Sequence, residues 1–299
     1  MKLFISGIEG FAGRYLATEA VRTGFEVSGI AHRRGLHGPN VHQCSLLDLG
    51  GLQRILCEIQ PDYVAHLAAV SAYLSDDVAG VYETNVLGSR NLLEAVASLS
   101  KPPKRVLLVS SGNVYDSRHG MRLAEDTPLR AITDYSVSKI AMEQLAHWWG
   151  QFFEIAIARP FNHIGIGQKP DFLIPKLLRH FQQRSARIEL GNLAITRDFS
   201  DVRDVAQSYL SILRMPGFYP SPINVCTGVG TALGDILTLL QRLTGHSPEI
   251  IVREEFARKH EILSLVGNPS LLESLGGVVP KTPLVDCLNW MLQNGFSTL

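Results

Sequence analysis

Cysteine is scarce. The four in 299 residues, Cys44, Cys57, Cys226 and Cys287, lie far apart. They have neither the paired spacing of a zinc site nor the density of a secreted disulfide scaffold, so they read as buried thiols in a reducing compartment. An excess of charge is missing too. Lysine plus arginine equals aspartate plus glutamate at 28 each, which leaves no overall field to attract nucleic acid or an anionic membrane surface. No run approaches the roughly 18 apolar residues of a membrane span. The opening MKLFISGIEGFAG has too short an apolar stretch and too many glycines for a signal peptide. Internal repeats and low-complexity tracts are also lacking. These absences point to a cytoplasmic chain with no nucleic-acid or membrane partner. What is abundant is apolar side chain, 45% against 19% charged, enough for a substantial core in one large domain or two intimate ones.

Short apolar runs alternate with amphipathic stretches. Lys2 to Ser6 reads as a strand, Arg14 to Thr23 as a helix and Glu26 to Ala31 as a strand, which makes a βαβ unit. The rhythm continues with strands at Asp62 to Ala69, Arg105 to Ser110 and Ile155 to Arg159, and helices at Val81 to Ser98 and Tyr135 to Phe153. Such alternation predicts an α/β fold of Rossmann type, a doubly wound parallel sheet with ligands at the carboxyl ends of its strands. Past Pro160 the pattern loosens into NHIGIGQKP, GNLAITRDFSD and VREEFARKH, read as loops of a smaller α/β lobe that caps the sheet and holds substrate. A further helix at Asp201 to Leu213 and a strand at Ile223 to Cys226 return to the first domain. The expected division is therefore 1–160 with 199–227 for the Rossmann domain, and 161–198 with 228–299 for the substrate-binding lobe.

Gly7, Gly10 and Gly13 stand between the first strand and its helix, with Phe11 and Ala12 inside the same turn. Glycine there permits a tight turn and brings backbone N–H groups close to a pyrophosphate at the helix N-terminus. After the second strand, where an NAD site often places an acid for the ribose hydroxyls, the sequence has His32, Arg33 and Arg34. Guanidinium forks suit a 2′-phosphate, so these residues favour NADP(H) over NAD, unless they are only solvated loop cations.

Tyr135 and Lys139 are four residues apart and so share one face of a helix. A nearby ammonium favours the phenolate, which lets the phenol exchange a proton with a carbonyl oxygen as hydride moves. Ser110 and Ser111 end the strand VLLV, at the sheet edge where substrate is expected, and a hydroxyl there can bond the same oxygen. With the glycine motif, these residues resemble the extended short-chain dehydrogenase/reductase family. HLAA from His66, NVLGSRNLLEA from Asn85, ARPFN from Ala158 and RDFSDVRDV from Arg197 extend the likeness over nearly the whole chain. The resemblance implies Ser111, Tyr135 and Lys139 as catalytic trio. It implies cofactor contacts from Leu67, Ala68, Ala69, Tyr82, Pro160 and Phe161, and also from Ser45 and Leu46, where the family often has an aspartate in place of Ser45. It implies a homodimer through the helices near Val81 to Ser98 and Tyr135 to Phe153; Trp148 and Trp149 would pack or lie at that interface.

Dehydratases of this family carry an acidic pair directly after the catalytic hydroxyl residue, and here those positions are Gly112 and Asn113, which speaks against loss of water. RPFNHIGIGQ, GNLAITRDFSDVRDV and INVCTG resemble the bacterial GDP-4-keto-6-deoxy-D-mannose reductases, with Ile166 where those have proline. The expected activity is NADPH-dependent reduction of the C4 ketone of a GDP-4-keto-6-deoxyhexose, giving GDP-D-rhamnose or its C4 epimer. A sugar-nucleotide 4-epimerase and a dinucleotide-sensing regulator remain as alternatives. Candidate substrate contacts are Ser71, Ser111, Gly112, Asn113, Tyr135, Asn162, Arg197 and Arg258; the two arginines would take the diphosphate or else form salt bridges. His163 either touches substrate or braces its loop. No metal site is expected.

Overall fold

In the computed structural model, residues 1–32, 40–71, 77–119, 122–217, 222–256 and 262–295 are described. The apolar run Lys2–Ser6 is β1, near the middle of a seven-stranded sheet. On one side lie β2 (Glu26–Ala31) and β3 (Val41–Gln43); on the other lie β4 (Tyr63–His66), β5 (Arg105–Val109), β6 (Ile155–Pro160) and Ile223–Val225. Every pairing is parallel, so all the carboxyl ends share one edge.

Side chains along a strand point alternately to opposite faces, and the sheet is covered on both. Leu3 and Ile5 face α1 (Phe11–Arg22) through Leu16 and Ala20, whereas Phe4 faces α2 (Leu49–Ile59) through Leu52 and Leu56. Each such side chain buried in full contributes about 1.5–3 kcal/mol. The Phe4 face also receives Leu92 and Val96 from Gly88–Ala97 and Met142 and Trp149 from Asp134–Trp149. The Leu3 face receives Val205, Tyr209 and Leu213 from Val202–Arg214. In chain order, α3 is Val78–Tyr82, α4 Gly88–Ala97, α5 Asp134–Trp149, α6 Leu173–Gln182 and α7 Val202–Arg214.

Beyond the large sheet, β7 (Asn162–Ile164) pairs with Thr196–Asp201, and Arg187–Leu190 pairs with Glu249–Val252. Helices α6, α8 (Leu233–Thr244) and Leu284–Asn294 close a third core around Leu177, Phe181, Ile236 and Leu288.

The structure refines several sequence expectations. GNLAITRDFSD was read as loop, yet Thr196–Asp201 is a strand bonded to β7, because its neighbours in space supply the edge it needs. The strand expected over Asp62 to Ala69 ends at His66, where Leu67 N and Ala68 N turn to the backbone and hydroxyl oxygens of Ser6. The helix expected from Val81 starts at Val78 and passes through a π-helical turn at Glu83–Leu87. The Tyr135 helix stops at Trp149, before Phe153. All four cysteines are free; three are buried, and Cys57 corrects the expectation of buried thiols. It follows the inward Leu56 by one residue, about 100° round the helix, and so faces solvent.

Candidate active site

The turn between β1 and α1 is built for close approach. Gly7 has φ +72°, and a Cβ there would lie 2.8 Å from Ala68 Cα; a Cβ on Gly13 would lie 2.1 Å from Gly7 O. Gly10 caps α1 without a side chain and the first turn carries no acid, so neither supplies a carboxylate to the positive end of the helix. Ala68 belongs to Leu67-Ala68-Ala69, the segment leaving β4 beside this turn. Gly7, Gly10, Phe11, Ala12 and Gly13 thus form, with Leu67 to Ala69, a cradle of the kind that accepts a pyrophosphate. His32 follows β2 and is exposed. Ser45 Oγ accepts from Leu47 N at 3.2 Å, and Leu46 is buried against Gly88. Arg33 and Arg34 lie outside the described residues, as does Arg258.

Helix α5 starts from a reciprocal cap: Ser136 N donates to Thr133 Oγ1 and Thr133 N to Ser136 Oγ. Such caps are worth about 1 kcal/mol and place Tyr135 in the first turn. One turn on, Lys139 is 3% exposed, donates from Nζ to Val109 O at 2.8 Å and stands 5.8 Å from the Tyr135 ring centroid. Burial pushes its pKa down to about 8, opposed by the charge of Glu143. Just past the same strand, Ser111 Oγ accepts from Asn113 N and Asn113 Nδ2, each at 3.2 Å. A hydroxyl with its acceptor sites so engaged has its proton left to donate. Gly112 lies under Phe161, whose ring atoms would be 3.1–3.2 Å from a Cβ. Pro160 ends β6, and Phe161 packs on Tyr115 with centroids 6.2 Å apart.

Two buried polar joints hold these parts in place. Asn85, inside the π-helical turn, accepts from Val70 N at 2.8 Å and donates to Val70 O and to Ser138 Oγ, each at 3.0 Å. It thereby fastens the segment after β4 to α5. His66 sits between Ser6 Oγ and Ser89 Oγ at 2.6 and 2.8 Å, and burial, then Lys139, pushes its pKa down to about 3, so the ring is neutral.

A cavity of about 790 Å³ opens beside the sheet edge. Among its wall residues are Tyr135, Asn113, Asn162, His163 and Arg197, which brings together candidates from α5, the β5 exit, β7 and Thr196–Asp201. Ser71, Ser111 and Gly112 are not in that wall. Tyr82 is not either; its hydroxyl donates to Asp134 Oδ1 at 2.9 Å, and Asp134 is in the wall. Sequence reasoning missed Gln168 and Phe256, which line the cavity, and Glu143, buried on α5 against Arg159 and Ser110. Asn162 Oδ1 and Gln168 Oε1 are buried with no hydrogen-bond partner among the described residues, acceptors that a bound molecule with O–H or N–H groups would satisfy. His163, half-buried and held down in pKa by desolvation of its ring, stacks on Phe11 at 5.8 Å and faces Phe161 O at 3.2 Å. No group of metal-ligating side chains occurs among the described residues, and no helix among them is long and apolar enough to cross a membrane.

Known proteins share this architecture. GDP-6-deoxy-D-talose 4-dehydrogenase of Aggregatibacter actinomycetemcomitans is 32% identical over 98% of each chain. GDP-6-deoxy-D-mannose reductase of Pseudomonas aeruginosa is 30% identical over 98% of this chain and 96% of its own. Among solved structures, a putative epimerase from Burkholderia cenocepacia superposes with TM-score 0.91 at 35% identity, covering 98% of this chain and 97% of that one. RMD from Pseudomonas aeruginosa, complexed with NADPH, superposes with TM-score 0.86 at 30% identity over 98% of both. The sequence profile of one family matches residues 3–226, from the glycine turn through the tyrosine and lysine to the last strand of the large sheet, and by that match the chain belongs to the NAD dependent epimerase/dehydratase family.

Proposed function

We propose that this protein is an NADPH-dependent reductase of the C4 ketone of a GDP-4-keto-6-deoxyhexose, forming GDP-6-deoxymannose (GDP-D-rhamnose) or its C4 epimer. One observation carries the reading: Tyr135 lines the cavity while Lys139 stands buried behind its ring and Ser111, two residues past the end of β5, has its proton left to donate. Two relatives at 30% identity or better bear names of GDP-6-deoxysugar redox enzymes, which supports the substrate class.

Tyr135 gives its proton to the C4 oxygen, and the Lys139 ammonium beside it favours the negative charge left on the phenol. Ser111 donates to the same oxygen and fixes the ketone's orientation. The cradle of Gly7, Gly10, Phe11, Ala12, Gly13 and Leu67 to Ala69 would hold the dinucleotide, with Ser45, Leu46, Tyr82, Pro160 and Phe161 along it and His32, Arg33 and Arg34 for a 2′-phosphate. That cofactor supplies hydride when bound. The NADPH complex of the similar Pseudomonas structure supports the choice of NADPH. Ser71, Asn113, Asn162 and Arg197, with Arg258, would contact the sugar nucleotide, Arg197 and Arg258 through the diphosphate. Dehydration is disfavoured because Gly112 and Asn113, the two residues directly after Ser111, carry no carboxyl group to exchange a proton, and the Asn113 amide is bonded to Ser111.

In this scheme 1–160 with 199–227 hold the cofactor, 161–198 with 228–299 hold the sugar nucleotide, and the protein works as a cytoplasmic homodimer. NADPH consumption with GDP-4-keto-6-deoxymannose, and NMR of the product, test the reading and assign the C4 epimer. Tyr135→Phe is expected to abolish turnover while NADPH affinity stays similar. Turnover retained by that variant overturns the assignment. Interconversion of C4 epimers on tightly held NAD, without net NADPH consumption, would mark a 4-epimerase instead.

A further inference from the structure

Glu143 lies one turn beyond Lys139 on α5 and is 1% exposed. Its carboxylate accepts from Arg159 Nε at 2.9 Å, Arg159 Nη2 at 2.6 Å and Ser110 Oγ at 2.5 Å. Arg159 is 3% exposed, with its guanidinium 4.7 Å from the Tyr115 ring centroid. A buried ion pair is a weak means of stabilising a fold, because desolvating both charges offsets most of their attraction. Its position suggests a different use. Ser110 immediately precedes Ser111, Arg159 precedes Pro160, and Lys139 is tied to Val109 O. One carboxylate therefore fastens α5 to the carboxyl ends of β5 and β6 at the level of the reacting groups.

The surroundings of Lys139 show what that carboxylate does electrically. From α5 come Tyr135 and Glu143. From β4 comes His66, which is neutral. The end of β5 brings the carbonyl of Val109, and the next residue, Ser110, bonds Glu143; β6 brings Arg159, paired with Glu143 and turned to Tyr115. Tyr209 of α7 has its phenol pushed upward by burial and then by Tyr135, so Tyr209 is uncharged. Among the described residues Glu143 is thus the negative charge acting on the ammonium.

We infer that Glu143, locked by Arg159 and Ser110 one helical turn from Lys139, is a positioning residue of this centre, which sets Ser111 against Lys139 and places a buried negative charge on the helix face that carries the ammonium. The inference rests on the proposed roles of Ser111, Tyr135 and Lys139. Burial weakens the hold of Lys139 on its proton, and the charge of Glu143 opposes that.

The test is Glu143→Gln, which keeps the size and an acceptor for Ser110. Lys139 is titrated by NMR of the labelled lysine Cε, assigned with Lys139→Arg, and kcat and KM are followed against pH. Expected are a Lys139 midpoint about one unit below wild type, an alkaline limb of kcat moved equally, and a kcat at least about tenfold lower with the KM for NADPH within about twofold. Ser110→Ala, which keeps the ion pair, should lower kcat and leave the midpoint in place. Should Glu143→Gln fail to fold, Glu143→Gln/Arg159→Met strands no buried charge and carries the same expectation. An unmoved midpoint in the folded variant, whatever its rate, overturns the inference. If wild type reduces no GDP-keto sugar, the functional proposal fails instead, and the midpoint still decides the role of Glu143.

Discussion

Two glycines with positive φ allow the cofactor cradle to be tested against a built-in control. Among the described residues Gly24, at φ +85°, has nothing beyond its chain neighbours within 4 Å of a would-be Cβ, whereas Gly7, at φ +72°, would place its Cβ 2.8 Å from Ala68 Cα and 2.9 Å from Ala68 N. Left-handed backbone costs a non-glycine residue about 1–2 kcal/mol, and alanine returns about 0.4–1 kcal/mol by stiffening the unfolded chain. Gly24→Ala should therefore lose about 1 kcal/mol. Gly7→Ala adds an overpacking cost of about 1–3 kcal/mol, because Ala68 must retreat by roughly half an ångström. For 299 residues the unfolding entropy is about 0.6 kcal/mol/K, so Tm should fall by about 1–2 °C for Gly24→Ala and about 3–6 °C for Gly7→Ala. Displacing Ala68 also moves the cradle wall, so NADPH affinity, read by fluorescence titration, should drop at least about tenfold for Gly7→Ala and stay near wild type for Gly24→Ala. If the two variants match in both melting and affinity, the close approach of Gly7 and Ala68 does not shape a dinucleotide site.

Two further outcomes follow from burial and exposure. Lys139 loses its proton as pH rises through about 8, so turnover should fall across that pH; the folded pKa lies below the unfolded value, so the group's contribution to stability should rise between about 8 and 10.5, and activity and Tm should move in opposite directions. The homodimer proposal places Leu87 and Val137, 51% and 42% exposed, at the interface; Val137→Glu should sediment as a monomer where wild type sediments as a dimer, and an unchanged dimer would move the interface elsewhere.

Much of the site was legible as local pattern. The glycine turn, the tyrosine and lysine four residues apart, and the serines at a strand end are each defined within a few neighbouring residues, and chain periodicity alone decides what they share. The edges of elements were less legible, because they depend on partners elsewhere: β4 ends where Ser6 captures Leu67 and Ala68, and Thr196–Asp201 is a strand because β7 lies beside it. Asn85 stood inside a motif whose likeness was visible, but nothing local showed that its amide would grip both backbone groups of Val70. Glu143 had a single clue, its place one turn after Lys139 on a face otherwise filled by Met142, Ala146 and Trp149.

By itself the sequence determined the alternating parallel sheet, the phosphate-type turn and the helical face carrying Tyr135 and Lys139, since these follow from side-chain period and glycine's freedom. Tertiary structure decided the rest. His66 meets Ser6 and Ser89 across 60 and 23 residues, Glu143 meets Arg159 across 16, and the cavity gathers walls from Val78 to Ile262. A buried polar group must find a partner, and which partner comes within reach is settled by how distant segments pack.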